Sequence, residues 1–137
     1  MNHTKLKKLM KVCYAVAVVL LLSFAKTGYD KVYYFGEYQD HWALVKTGRY
    51  YGFIDTAGQE VVSPQYRDIG YFDEYRTNWA MVKKGRRYGF IDQNGNEVVA
   101  PIYSSIGYFD EYQDGWAMVK RDGKYGFIDM DGVEKGF

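Results

Sequence analysis

Cysteine is nearly absent from this chain, with one residue, Cys13, in 137. It lies in an apolar run near the N-terminus. The remainder therefore has no thiol for a disulfide, a thiolate metal site or cysteine catalysis. Cys13 is not placed as a lipoprotein cysteine either, because the apolar run follows it. Histidine is as scarce, and beyond residue 25 only His41 remains. One histidine makes no metal pair, and no Ser-x-Gly elbow surrounds a nucleophile. Two prolines and an aromatic share of 19% argue against a disordered, low-complexity chain. A basic excess is lacking too. Residues 26–137 carry 14 basic and 17 acidic side chains, a net charge of −3. Nucleic-acid binding needs a phosphate-neutralising stripe, and none is visible.

The first 25 residues have a different character. Lys5, Lys7, Lys8 and Lys11 stand without an acid, a run of about fourteen mostly apolar residues follows, and Ser23-Phe24-Ala25 closes it. Charged region, apolar region and small-x-small exit are the parts of a secretory signal. A spanning helix needs about 20 apolar residues, so the run is short for a permanent anchor. The pattern predicts cleavage after Ala25 and a mature chain of 26–137, secreted or in the periplasm or cell envelope. An uncleaved membrane anchor is the alternative, and a buried helix is the third reading.

Beyond Ala25 the chain repeats. Phe35, Phe72 and Phe109 are 37 residues apart. The same offset aligns Trp42, Trp79 and Trp116, and the phrase "YGFID" at 51–55, 88–92 and 125–129. The units run 29–65, 66–102 and 103–137. The third ends in "VEKGF" where the others read "QEVVSPQ" and "NEVVAPI", so it is expected to lack its final strand, as a terminal capping repeat does.

The turn residues define each unit. Asp122-Gly123 is a two-residue type I′ hairpin signal, and the aligned Gly48-Arg49 and Gly85-Arg86 are type II′ signals. Either turn pairs Val82 with Gly89, Met81 with Phe90, Ala80 with Ile91 and Lys83 with Tyr88. Gly52, Gly89 and Gly126 then sit mid-strand, where glycine marks close approach by something bulky. An aromatic ring is the expected neighbour, with Trp79 and its copies in reach. In a two-residue second turn Asp92 would face Glu97, an unfavourable like-charge pair. A three-residue loop with Gly58, Gly95 or Gly132 left-handed removes it. Asp55, Asp92 and Asp129 begin these loops. Their D-x-D-G resemblance to a calcium loop fails in the first unit, so a bond to their own backbone is the expected role. The result is an all-β tandem array of three-stranded antiparallel meanders, open and solenoid-like or propeller-like, after an N-terminal helical segment.

This pattern resembles the WG-repeat (KWG-repeat) family of bacterial β-repeat proteins. Its carriers are Phe72-Asp73-Glu74, Trp79-Ala80-Met81-Val82, Arg87-Tyr88-Gly89-Phe90-Ile91-Asp92, Gly95, Val98-Val99 and Pro101-Ile102-Tyr103. The family's Trp before glycine is Tyr51, Tyr88 and Tyr125 here, and tryptophan opens the preceding strand instead. The resemblance implies an all-β array, commonly exported or surface-associated, with no established catalytic machinery and no cofactor.

The acids of "FDEY" at 72–75 and 109–112 stand beside aromatics, yet three similar units offer three similar sites, which suits binding or structure better than acid/base chemistry. His41 aligns with Asn78 and Gly115 and reads as a turn residue. Fourteen tyrosines after Ala25 are the conspicuous excess. The candidate binding surface is Tyr34, Tyr38, Trp42, Tyr50, Tyr75, Trp79, Tyr112 and Trp116. The expected function is a non-catalytic exported module holding a protein partner. A carbohydrate or cell-wall ligand is the alternative, and one exposed aromatic per unit would favour it. Open sheet edges leave room for an oligomer.

Overall fold

The computed structural model describes residues 28–137; the signal-like segment lies outside the described residues. The described chain forms two compact bodies, residues 28–65 and 66–137. All its regular structure is antiparallel β, and it contains no helix and no closed barrel.

The first body holds one sheet of four strands in sequence order: β1 (Lys31–Phe35), β2 (Trp42–Thr47), β3 (Tyr50–Asp55) and β4 (Glu60–Tyr66). The last residue of β4, Tyr66, opens the second body. Phe35, Ala43, Val45 and Ile54 form the core on one face, with Tyr29 and Val32 against it. Trp42 and Phe53 are buried on the other, their rings 5.1 Å apart. A sheet apolar on both faces has to be covered on both.

The second body holds two such sheets. One is β5 (Asp68–Phe72), β6 (Ala80–Lys84), β7 (Arg87–Ile91) and β8 (Glu97–Tyr103). The other is β9 (Ser105–Gln113), β10 (Trp116–Arg121), β11 (Lys124–Asp129) and β12 (Glu134–Lys135). Their shared core joins Trp79, Phe90, Val99 and Tyr103 of the second sheet to Ile106, Phe109, Ala117, Val119 and Ile128 of the third.

Each sheet thus has four strands, not the expected three. The additional strand is the lead-in of each unit, β1, β5 and β9. Its hydrogen bonds settle the matter: β5 pairs with β6 through Asp68 with Lys83, Ile69 with Val82 and Phe72 with Ala80. A bulge between Ile69 and Phe72 breaks its alternation, which is why it did not read as a strand. The third unit keeps a two-residue remnant of its last strand, β12, where β4 and β8 have seven residues.

The hairpin register agrees with expectation at every predicted pair: Val82 with Gly89, Met81 with Phe90, Ala80 with Ile91 and Lys83 with Tyr88. Gly48 and Gly85 have φ of 59° and 61°, as a type II′ turn requires, and Asp122 and Gly123 are both positive, as type I′ requires. The second turn is a three-residue loop. Asp92 N bonds Asn96 O, and Glu97 lies opposite Ile91 rather than Asp92. The loop glycines Gly58, Gly95 and Gly132 have φ near 80°, and Oδ1 of Asp55, Asp92 and Asp129 accepts two backbone N–H bonds within each loop.

A second device recurs with the period. The phenol of Tyr29 donates to Glu60 at 2.7 Å, that of Tyr66 to Glu97 at 2.6 Å, and that of Tyr103 to Glu134 at 2.6 Å. Each bond ties the first residue of a unit to the start of its fourth strand.

Candidate functional site

The aromatic residues singled out in the sequence do not form one surface. Six of the eight fall into three copies of a triad, each a lead-in tyrosine and a strand-opening tryptophan packed on the phenylalanine of "YGFID". In the first sheet Tyr38 lies 5.2 Å and Trp42 5.1 Å from Phe53. In the second Tyr75 lies 5.7 Å and Trp79 5.4 Å from Phe90. In the third Tyr112 lies 6.4 Å and Trp116 5.5 Å from Phe127. The register explains the grouping: Trp42 pairs with Asp55 and Leu44 with Phe53, so the indole and the phenyl ring share a face.

Two of these triads are core. Trp42 is 9% exposed and Trp79 6%, so neither belongs to a binding surface. Tryptophan at the start of the strand lies over the phenylalanine, and burial of both rings is the packing that holds the sheet face. In the second body the cover is explicit. The ring of Phe109 meets Trp79 edge-on at 6.2 Å, and Tyr108 stacks flat on Tyr75 at 4.5 Å with an interplanar angle of 10°. Arg76 adds its guanidinium over Trp79 at 4.3 Å.

The third triad faces out. Tyr112 is 67% exposed, and Trp116 and Phe127 are only half-buried. Tyr125 beside them is 60% exposed, where its copy Tyr88 is half-buried. Each sheet also carries a lysine over the tyrosine of "YGFID": Lys46 over Tyr51, Lys83 over Tyr88 and Lys120 over Tyr125, at 5.0–5.5 Å. These are in-register cross-strand pairs, so the cation–π contact is built into the hairpin.

Tyr34 and Tyr50 of the first sheet are exposed, while Tyr38 and Tyr75 are half-buried. The position of Tyr34 recurs as Tyr71 and Tyr108, and all three are more than half exposed. Sequence reading singled out only the first of these. The signal was there, since 34, 71 and 108 keep the 37-residue offset.

The aspartates of "FDEY" brace the chain just before the next strand. Asp73 and Asp110 adopt φ near +70° and each accepts a 2.6 Å bond, from Asn78 N and Gly115 N respectively. His41 is exposed. Among the described residues no group of three His, Cys, Asp or Glu side chains could hold a metal ion. The close neighbour of Gly89 is not an aromatic ring. A Cβ there would stand 2.8 Å from Ala100 C and 2.7 Å from Pro101 N, and Gly52 meets β4 in the same way. Of the three "YGFID" glycines Gly126 alone meets a ring, that of Phe137, where the third sheet lacks the backbone of a full fourth strand.

Bulged four-stranded meanders, glycines under a neighbouring strand and a period of 37 residues define a tandem β-repeat protein. The family model described as "WG containing repeat" matches residues 51–87 and 88–125, more than half of the chain. The chain belongs to the WG-repeat family. No curated protein and no solved structure matches it.

Proposed function

We propose that this protein is an exported, non-catalytic docking module that holds a protein partner on the outer face of its third sheet. The observation that carries the reading is the third aromatic triad. Its copy in the second sheet, Tyr75–Phe90–Trp79, is the floor of a packed sheet-on-sheet interface, and Trp79 and Phe90 are almost fully buried there. Tyr112, Phe127 and Trp116 present the same face with far more of it open. Tyrosine and tryptophan dominate binding surfaces because a large rigid ring is ordered at little entropic cost. Export rests on the leader pattern of residues 1–25. The non-catalytic reading is supported by three near-identical units, in two of which the lead-in aspartate, Asp73 or Asp110, is held by a backbone N–H.

A photo-crosslinking residue placed at 112 or 125 in the native host tests the docking face. Adducts with one protein from both sites, and none from an exposed turn control at Arg49, are expected. N-terminal sequencing of the same material is expected to begin at Lys26.

A carbohydrate ligand is the second reading. It is favoured by the exposed tyrosine at one repeat position, Tyr34, Tyr71 and Tyr108. Binding on a glycan array that is lost in Tyr34→Ala, with no adduct from 112 or 125, would replace the first reading with this one.

A further inference from the structure

The second sheet has a hollow of about 200 Å³ over Gly70, walled by Asp68, Glu74, Tyr75, Met81, Lys83 and Tyr88. The third unit keeps glycine at this position, Gly107, with Glu111 Oε2 3.4 Å from its Cβ site, and the first unit alone places a side chain there. The residue aligned with Gly70 in the first sheet is Tyr33, and the residue aligned with Asp68 is Lys31. Lys31 holds its ammonium 4.3 Å above the Tyr33 ring, so both side chains stand on one face of β1. That face is the one carrying Lys46, which pairs with Lys31 across the strands, and Tyr51. These are the counterparts of Lys83 and Tyr88. The first sheet thus supplies from its own chain a phenol ring with an ammonium against it. The second sheet supplies neither: glycine leaves the space of the ring, and aspartate stands in place of the ammonium.

The walls of the hollow match the missing pair. Glu74 Oε2 lies 3.3 Å from where a Cβ on Gly70 would stand, so a carboxylate lines the vacated ring position. Asp68 pairs in register with Lys83, and among the described residues neither Asp68 nor Glu74 is in an ion pair. Lys83 is turned onto the ring of Tyr88 at 5.4 Å. The hollow therefore offers two free carboxylates on one side. On the other it offers the flat Tyr75 and Tyr88 side chains, the Met81 thioether and one ammonium. Aromatic rings and thioethers attract a ring edge or face, and carboxylates attract a cation.

We propose that this hollow binds an aromatic ring that carries an ammonium group. The guest ring stands over Gly70 and Met81 as the Tyr33 ring stands in the first sheet. Its ammonium meets Asp68 and Glu74, and a phenol oxygen on the guest accepts from Lys83. The site is separate from the third-sheet triad and does not depend on the docking reading. The same chemistry is presented by a free arylalkylamine or by a lysine two residues before a tyrosine in a peptide, as in Lys31-Val32-Tyr33 of this chain.

The test is a titration of the full, ¹⁵N-labelled chain with tyramine, followed by amide chemical shifts. p-Cresol and 3-(4-hydroxyphenyl)propionate are the neutral and anionic controls. Shifts centred on Gly70, Lys83 and Tyr88 are expected. Tyramine should bind about two- to fivefold more tightly than p-cresol, the size of one exposed ion pair, and the propionate should bind least. A blocked Lys-Val-Tyr peptide in a second arm separates the sources: tighter binding than tyramine assigns the site to a partner chain, and weaker binding assigns it to a free amine. Gly70→Tyr copies the first sheet and should fill the hollow, abolishing the shifts. Asp68→Lys copies its charge and should remove the preference for tyramine over p-cresol. Unchanged binding in both variants, equal binding of all three compounds, or shifts centred elsewhere overturns the proposal.

Discussion

The nitrogen of Pro101 lies 2.7 Å from the point where a Cβ on Gly89 would stand, so the fourth strand of the second sheet crosses directly over the glycine of "YGFID". The obstacle is main chain and cannot rotate aside. In the third sheet the obstacle over Gly126 is the Phe137 side chain.

Gly89→Ala is therefore expected to cost about 1–3 kcal/mol, the range for overpacking a filled site. Gly126→Ala should cost clearly less, because a terminal ring can swing away. Thermal melts of the two variants check this, at about 4–8 °C per kcal/mol for a domain of this size. Equal melting temperatures would show that the overlying strand is not what requires the glycine.

The two tryptophans of the second body should separate stability from binding. Trp79→Ala removes a buried indole and is expected to destabilise by about 3–5 kcal/mol. Trp116→Ala removes a half-exposed one and should cost less than half of that. Its main effect should be loss of the partner crosslinked from position 112. Denaturant unfolding measures the first effect, and crosslinking yield the second.

Much of this architecture was legible in the chain. The hairpin register followed from Gly85-Arg86 and Asp122-Gly123 because a two-residue loop leaves one pairing available. The three-residue loop followed from a local conflict, Asp92 against Glu97, that only one loop length relieves. What was not legible depended on long-range placement. The strand Asp68–Phe72 was hidden by its bulge, which shifts the pairing and breaks the alternation that marks a strand. The cover over Gly89 came from residues ten to twelve further on, in the bulged stretch of β8. The burial of Trp79 beside the exposure of its copy Trp116 could not be read from identical local sequence. The difference lies in what stands next to each sheet.

Alkaline titration should reveal the clasping tyrosines. Burial first, then the bond and charge of Glu60, pushes Tyr29 up to about 12 from its ordinary 10.0. Burial and Glu97 raise Tyr66, and burial and Glu134 raise Tyr103, both above their ordinary value. A phenol whose folded pKa is raised holds its proton more tightly in the folded state. Its stabilisation is whole below pH 10 and is lost as pH rises through the folded value. Absorbance at 295 nm is expected to show a group of tyrosines ionising well after the rest, Tyr29 near pH 12 among them, coincident with unfolding. Phenylalanine at 29, 66 and 103 should remove that group.

The same clasps should differ in strength at neutral pH. Glu134 keeps a bidentate partner in Arg121, at 2.7 and 3.1 Å, whether or not Tyr103 is present. Tyr66 is the bond that holds Glu97. Tyr66→Phe is expected to cost about 1.5–3 kcal/mol, as for a hydrogen bond to a charged group, and Tyr103→Phe less. Urea midpoints of the two variants decide the order.

Asp92→Ala should destabilise by about 0.5–2 kcal/mol, the range for losing a side chain that caps backbone donors. Asp92 Oδ1 takes bonds from Asn94 N at 2.9 Å and Asn96 N at 3.0 Å, and alanine leaves both to water. Asp92→Asn retains the acceptor and should recover most of the loss in the same melt. An alanine variant as stable as the parent would remove the loop aspartates from the account of the fold.

The Tyr–Glu clasp spans 31 residues within a period of 37, so each bond opens and closes inside one unit. Deleting residues 66–102 would bring Tyr103 to the place of Tyr66 and leave every remaining tyrosine with its own glutamate. Duplicating the same segment would add a tyrosine together with its partner. Unequal recombination between the near-identical "YGFID" stretches makes changes of this kind. Lineages can therefore lengthen or shorten the array by whole units without first evolving a new tie to hold the added piece. A unit gained or lost in this way carries both halves of its clasp with it.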